Sequence, residues 1–221
     1  MLLNSLLTLV ALPALALTHS LPAKTLRATP SWYMTGKRYL CDPVLEELVS
    51  IPAINGILGI AQVPKSPDKP ETFVVVGSNA TGLNQLIPGT FGAWTIEFHH
   101  RRHQAKVKVK KISDMSNQST FLNGVVAIPG VSDAVLVSDS FSGLVGRLDL
   151  SSGMFDTSAF VFPEMAPISA KAFGVNGIKI RNNHLYFTNS NAVKIYRIAI
   201  TAAGLPVKGP SHSLLPTYRR A

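Results

Sequence analysis

Two Asn-Gly pairs, Asn123-Gly124 and Asn176-Gly177, stand 53 residues apart, each at the head of a short apolar run. An asparagine amide offers one carbonyl acceptor and two N–H donors. Two of them side by side can ligate a hard cation or hold a small molecule by hydrogen bonds. The same dipeptide is also a strong turn signal, because Asn and Gly tolerate positive φ. Both readings stay open on the spacing alone. A third pair, Asn55-Gly56, precedes another apolar run and joins them as a candidate ligand-lining residue.

Downstream of each of the two later pairs comes a second apolar run ending in a polar doublet, Asp139-Ser140 or Asn189-Ser190. Asp139 and Asn189 therefore read either as lining residues of a site or as side chains that fold an Asx turn between two strands. Ser138 and Ser140 flank Asp139, but the repeat brings no histidine to complete a triad. No G-x-S-x-G, P-loop, H-E-x-x-H or paired-cysteine motif occurs in the chain.

The densest charge lies at residues 99–111, His99-His-Arg-Arg-His103 followed by Lys106-Val-Lys-Val-Lys-Lys111, nine basic or imidazole side chains in 13 positions. The Lys-Val alternation has period two and puts its lysines on one face of a strand. The functional readings are contact with an extracellular polyanion or a His metal cluster. The simpler one is a solvated edge strand protected by lysine. His99 and His103 would converge only on a helix, and Trp94 to Phe98 leads in as a strand. Aromatic platforms for nucleic acid are missing beside it, so nucleic acid is not expected.

The elements that must position these residues are short. Phe73–Val76, Ala93–Phe98, Val125–Ile128, Ala134–Val137, Leu144–Leu150, Ile178–Ile180, Leu185–Thr188 and Ala192–Ile200 are β-type runs separated by Gly, Pro, Asn, Asp and Ser. No stretch keeps a helical period, and Pro43 to Val49 holds a helical turn at most. The order Asn-Gly, strand, turn, strand, polar doublet, strand recurs twice, with a weaker copy from Asn55 to Phe98. A period near 50 residues of this kind predicts an all-β chain built as propeller blades. The Asn-Gly pairs would then sit near the mouth of a central channel.

The 221 residues are 46% hydrophobic and 15% charged, which excludes a disordered chain. The net charge of +9 favours acidic partners without fixing the fold. Met1 to Leu17 is apolar and uncharged, short for a membrane span, and ends in Ala14-Leu-Ala16. It reads as a secretion signal, which leaves no stable membrane span after cleavage. Residues 18–36 form a mixed leader, 37–210 the repeat region and 211–221 a tail. The sequons Asn79-Ala-Thr81 and Asn117-Gln-Ser119 are expected glycosylation sites of a secreted, extracellular product. Cys41 is the single cysteine, so no intrachain disulfide can form.

The combined order of Phe121-Leu-Asn-Gly-Val-Val, Val135-Leu-Val-Ser-Asp-Ser, Gly146-Arg-Leu-Asp, Val175-Asn-Gly-Ile-Lys-Ile and Leu185-Tyr-Phe-Thr-Asn-Ser resembles the SMP-30/gluconolactonase/LRE-like family, nearest its secreted fungal members. The resemblance covers about residues 37–210. It implies a six-bladed TolB-like β-propeller, here incomplete at about four blades and expected to be a truncated product. It further implies one divalent cation, such as calcium, held by a Glu, an Asn and an Asp. Asn123 matches the Asn; Asn176 stands where the Asp would be. No Glu can be carried over, since Glu46 and Glu47 follow the matching Lys37–Pro43 segment. A metal site of two neutral amides is weak, because affinity tracks ligand charge. The expectation is a secreted propeller that binds a small ligand with weak or no lactone hydrolysis. The alternative is a non-catalytic scaffold using residues 99–111 on a polyanion.

Overall fold

The computed structural model describes residues 47–82, 85–101, 104–170, 172–207 and 212–213. The secretion signal, the leader, Cys41, the Lys37–Pro43 segment, Glu46, His103 and the tail beyond Ser213 lie outside the described residues. Of the expected helical turn, only Glu47 to Val49 is described, and those residues are irregular. The described chain is all-β.

Three four-stranded sheets follow one another. Sheet one contains β1 (Gly56–Gln62), β2 (Glu71–Ser78), β5 (Gly92–Arg101) and β6 (Gln104–Asp114), in that spatial order. A two-stranded hairpin, β3 (Ala80–Gly82) with β4 (Gln85–Leu86), interrupts it in sequence. Sheet two contains β7 (Leu122–Ala127), β8 (Ala134–Asp139), β9 (Leu144–Asp149) and β10 (Phe155–Phe160). Sheet three contains β11 (Val175–Arg181), β12 (His184–Asn189), β13 (Lys194–Ala199) and β14 (His212–Ser213). All strand pairs are antiparallel, and no sheet closes on itself.

The cores lie between sheets, as the alternation of strand β8 dictates. Val135 and Val137 point into a cluster shared with Val74, Val76 and Ala93 of sheet one. Ala134 and Leu136 point the other way, against Ile178, Leu185 and Phe187 of sheet three. Both faces of sheet two are therefore buried, each large side chain contributing about 1.5–3 kcal/mol. Strand β10 reads Phe-Asp-Thr-Ser-Ala-Phe and carries no apolar run, so it escapes a strand reading. Only its ends, Phe155 and Phe160, are buried, one in each core.

The first strands of the sheets touch in the order β1, β7, β11. Each carries one extra residue at the same place. In sheet one the register passes from Ile57↔Gly77 to Ile60↔Val75, in sheet two from Leu122↔Asp139 to Val125↔Val137, in sheet three from Val175↔Asn189 to Ile178↔Phe187. Each interval sets two residues against one, which is a β-bulge. The bulged pairs are Leu58-Gly59, Asn123-Gly124 and Asn176-Gly177. The Asn-Gly pairs are thus bulges inside strands, and their residues are not among those with positive φ. Asn55-Gly56 is not their counterpart: the matching dipeptide lies three residues on, at Leu58-Gly59.

The glycine of the bulge lets successive strands approach. A Cβ on Gly124 would meet the Asn176 backbone oxygen at 2.8 Å, and one on Gly59 would collide with the Asn123 backbone oxygen. Ser138 completes the junction. Its Oγ accepts from Gly124 N at 2.8 Å and donates to Asn176 O at 2.7 Å.

Residues 106–111 lie on β6, the outer edge of sheet one, with Lys106, Lys108 and Lys110 exposed and the valines between them half-buried. Lys108 lies 3.8 Å from Glu97 and Lys111 3.0 Å from Asp114. This is the lysine-protected edge that the alternation describes.

Candidate functional site

The bulges bring two amides to neighbouring strands. Asn123 Nδ2 donates to Ser140 Oγ at 3.3 Å, and Asn176 Nδ2 donates to Ser190 Oγ at 2.9 Å. Ser140 is buried and Ser190 exposed, while both asparagines are half-buried. Among the described residues, neither Asn Oδ1 accepts a hydrogen bond. Sheet one breaks the pattern. Ser78 stands where Ser140 and Ser190 stand, but Leu58 replaces the asparagine. The Ser78 hydroxyl is fully buried and has no partner among the described residues.

Three phenylalanines cluster on the segments that flank the amide-bearing strands. The centroid of Phe121 lies 4.8 Å from Phe141 and 5.0 Å from Phe173, and Phe141 stacks on Phe173 at 5.0 Å with 23° between the planes. Each ring lies within three residues of a dyad member along the chain. Phe121 precedes Asn123 by two residues, Phe141 follows Ser140, and Phe173 precedes Asn176 by three. Phe121 is 6% exposed and Phe141 37%. The backbone ties the ring-bearing segments together: Ser140 N donates to Phe121 O, and Gly174 N donates to Ser140 O, both at 2.8 Å. The rings could not be singled out in the sequence, because Phe121, Phe141 and Phe173 share no spacing or motif.

Asp139 and Asn189 do not line this surface. Asp139 is fully buried, and its carboxylate accepts from Thr120 N, Thr120 Oγ1, Phe121 N, Phe141 N and Ser142 N. It clasps the two segments that carry Phe121 and Phe141. Asn189 is 3% exposed, donates to Glu164 O and Ala166 O, and accepts from Ala192 N. It holds the 3-10 turn Pro163–Met165 against the β12–β13 turn. Both side chains are buried and bonded to the backbone of adjoining turns.

Asn55 lies in a separate loop. Its amide donates to Ala80 O, its Oδ1 accepts from Ala80 N, and its own N–H donates to Asn79 Oδ1. Of the sequon residues, Asn79 is half-buried in that contact and Asn117 is exposed. His99 Nε2 lies 3.1 Å from Glu97 Oε2. Among the described residues, no cluster of three His, Cys, Asp or Glu side chains has metal-binding spacing. Among the described residues, the side-chain partners of Asn123 and Asn176 are serine hydroxyls and not carboxylates.

A cleft of about 290 Å³ opens at the far end of sheets one and two, lined in part by Lys69, Thr95, Glu97, Lys110 and Asp133. Its wall mixes opposite charges around open space. The phenylalanine cluster lies instead on the segments flanking the two Asn–Ser dyads.

No family model matches the chain. Two curated relatives are similar to it. A protein described as "Putative hetero-Diels-Alderase" from a Phoma species is 27% identical over 184 residues, covering 75% of this chain and 50% of that protein. A protein described as "Putative hetero-Diels-Alderase asR5" from Sarocladium schorii is 27% identical over 172 residues, covering 69% of this chain and 41% of that protein. The chain thus spans half or less of the curated relatives it matches.

These likenesses overturn the SMP-30/gluconolactonase resemblance and the lactone hydrolase reading built on it. They also give no support to the polyanion-binding scaffold. The error has a physical source. A repeated bulge and short apolar strands serve the stacking of four-stranded sheets, so they report architecture and not family.

Proposed function

We propose that the chain forms a propeller-like array whose phenylalanine surface binds an apolar conjugated molecule and promotes a hetero-Diels–Alder cycloaddition. The contact order β1, β7, β11 and the two-sided burial of sheet two support a radial stacking of blades. The names of the two relatives support the reaction class.

The chemistry suits the residues. In such a reaction a four-π-electron heterodiene and a two-π-electron partner close a six-membered ring. Two σ bonds form, one π bond remains, and no proton or electron leaves. No general base or nucleophile is required. The barrier falls when both partners are held in a near-attack pose and when a hydrogen-bond donor withdraws charge from the heteroatom. Aromatic faces are well matched to flat conjugated ligands. The observation that carries the reading is the Phe121–Phe141–Phe173 cluster beside two neutral amides.

The test is a rate measurement on the 221-residue chain. A panel of α,β-unsaturated carbonyl heterodienes is mixed with electron-rich alkenes, and the loss of the conjugated absorbance is followed. Saturable acceleration and a non-racemic adduct are expected, both lost in Phe141→Ala. Racemic product at the buffer rate across the panel would overturn the reading. Export, proposed from Met1 to Leu17, is tested separately by tracing the product to the medium.

A further inference from the structure

The three bulge positions on adjacent strands differ in one respect that bears on specificity. Sheets two and three carry asparagines there, each fixed by a serine; sheet one carries Leu58, half-buried against the core that joins sheets one and two. We propose that Asn123 and Asn176 are the specificity-determining residues of the surface and read a neutral oxygen at one edge of the ligand, while the hydrocarbon edge lies toward Leu58. This rests on the small-molecule reading above.

The bonding inventory supports it. Each serine oxygen takes one amide N–H, which fixes the amide plane. Among the described residues, that leaves the second N–H and Oδ1 of each asparagine for a ligand. The pair is neutral, so it offers nothing that favours an anion over a carbonyl, ether or hydroxyl oxygen. Leu58 offers no hydrogen bond, and the Ser78 hydroxyl of the same sheet, without a partner among the described residues, is fully buried and out of a ligand's reach. A polar ligand edge over sheet one would lose its water without a replacement partner. Over Asn123 and Asn176 it would keep partners. The orientation of a flat ligand across the three strands follows from that difference.

The experiment uses two probes of similar size, 4-pyranone, a neutral conjugated carbonyl heterocycle, and toluene, which has no heteroatom. Side-chain amide and phenylalanine ring signals of the 221-residue chain are followed by NMR during titration. The expected result is that 4-pyranone moves the Asn123 and Asn176 amide signals and the ring signals, whereas toluene moves the rings alone. Asn123→Leu should weaken 4-pyranone about tenfold and leave toluene unchanged. Asn176→Leu, at the more open dyad, gives the same readout if the first variant fails to fold. Ring signals that move with both probes while the amides stay still would overturn this inference and leave the aromatic surface standing. Silence of rings and amides with both probes would overturn the surface itself, and this inference with it.

Discussion

Asp139 and Asn189 occupy the same register position in consecutive sheets, one step outside the bulge, and the groups around them are reversed. Asp139 accepts five hydrogen bonds. Asn189 faces two carbonyls and one N–H. A carboxylate suits the first setting and an amide the second, although the side chains have nearly the same shape. Exchanging them should therefore harm both. Asp139→Asn turns an N–H against donors, and Asn189→Asp turns a carboxylate against carbonyl oxygens. Each should cost about 2–3 kcal/mol in urea unfolding, the range for a buried polar group left mispaired. A loss below 0.5 kcal/mol in either variant would mean that the bonds are not made in solution.

Much of the fold is legible in the sequence. Val135, Leu136 and Val137 are apolar on both faces because sheet two is buried on both, and that pattern needs no structure to be read. The repeat at Asn123 and Asn176 is equally visible. Its mechanical meaning is not, since a turn and a bulge both want Asn-Gly. The alignment of Asn55 fails for the same reason. The true counterpart, Leu58-Gly59, has lost the asparagine, and only the register shift between Ile57 and Ile60 reveals it. The site is less legible still, because its three rings come from different segments and meet through the backbone bonds of Ser140 and Gly174. The family resemblance misleads at this level, because its motifs follow the repeating sheet architecture.

The orphaned Ser78 hydroxyl makes a second prediction. Leu58→Asn should restore the dyad that Asn123 forms with Ser140 and Asn176 with Ser190. The lost apolar burial, about 1 kcal/mol, is offset by a hydrogen bond of similar size. Leu58→Ala loses the burial with no such gain. The asparagine variant should thus be about 1 kcal/mol more stable than the alanine variant, and the gap should close in a Ser78→Ala background. Equal stabilities in the Ser78 background would count against the register equivalence.

Val193 supplies a third. Its φ is +53°, in the left-handed region that a β-branched residue avoids, and its side chain is 89% exposed. In sheet two the same turn position is Gly143, with φ +66°. There the surrounding Ala166 and Pro167 leave no room for a Cβ. Val193 has the room but not the conformational freedom. Val193→Asn, which tolerates this region, should raise stability by about 0.5–1 kcal/mol, and Val193→Gly by somewhat less because of the added unfolded-state entropy. A fall in melting temperature for both would show that the turn is held differently in solution.

The two aspartates with depressed acidity set a pH window. Hydrogen bonds from Ser151 Oγ and then Ser152 hold the Asp149 carboxyl well below its ordinary value of 3.8. Bonds from Ser116, with Lys111 beside it, bring Asp114 to about 2. A carboxyl that is more acidic folded than unfolded stabilises the fold above its unfolded value and loses that contribution as pH falls through its folded value. The melting temperature should therefore decline from pH 4 to pH 2. Asp149 is the stronger of the two in structural terms, since its Oδ1 accepts from both Ser151 and Ser152 and shapes the β9–β10 turn. Asp149→Asn should lower stability at pH 6 by about 0.5–1 kcal/mol, because a partly exposed group is screened by water. Its decline from pH 4 to pH 2 should be shallower than that of the native chain. Melts at half-unit intervals would decide this, and a variant with an unchanged acid slope would remove Asp149 from the account.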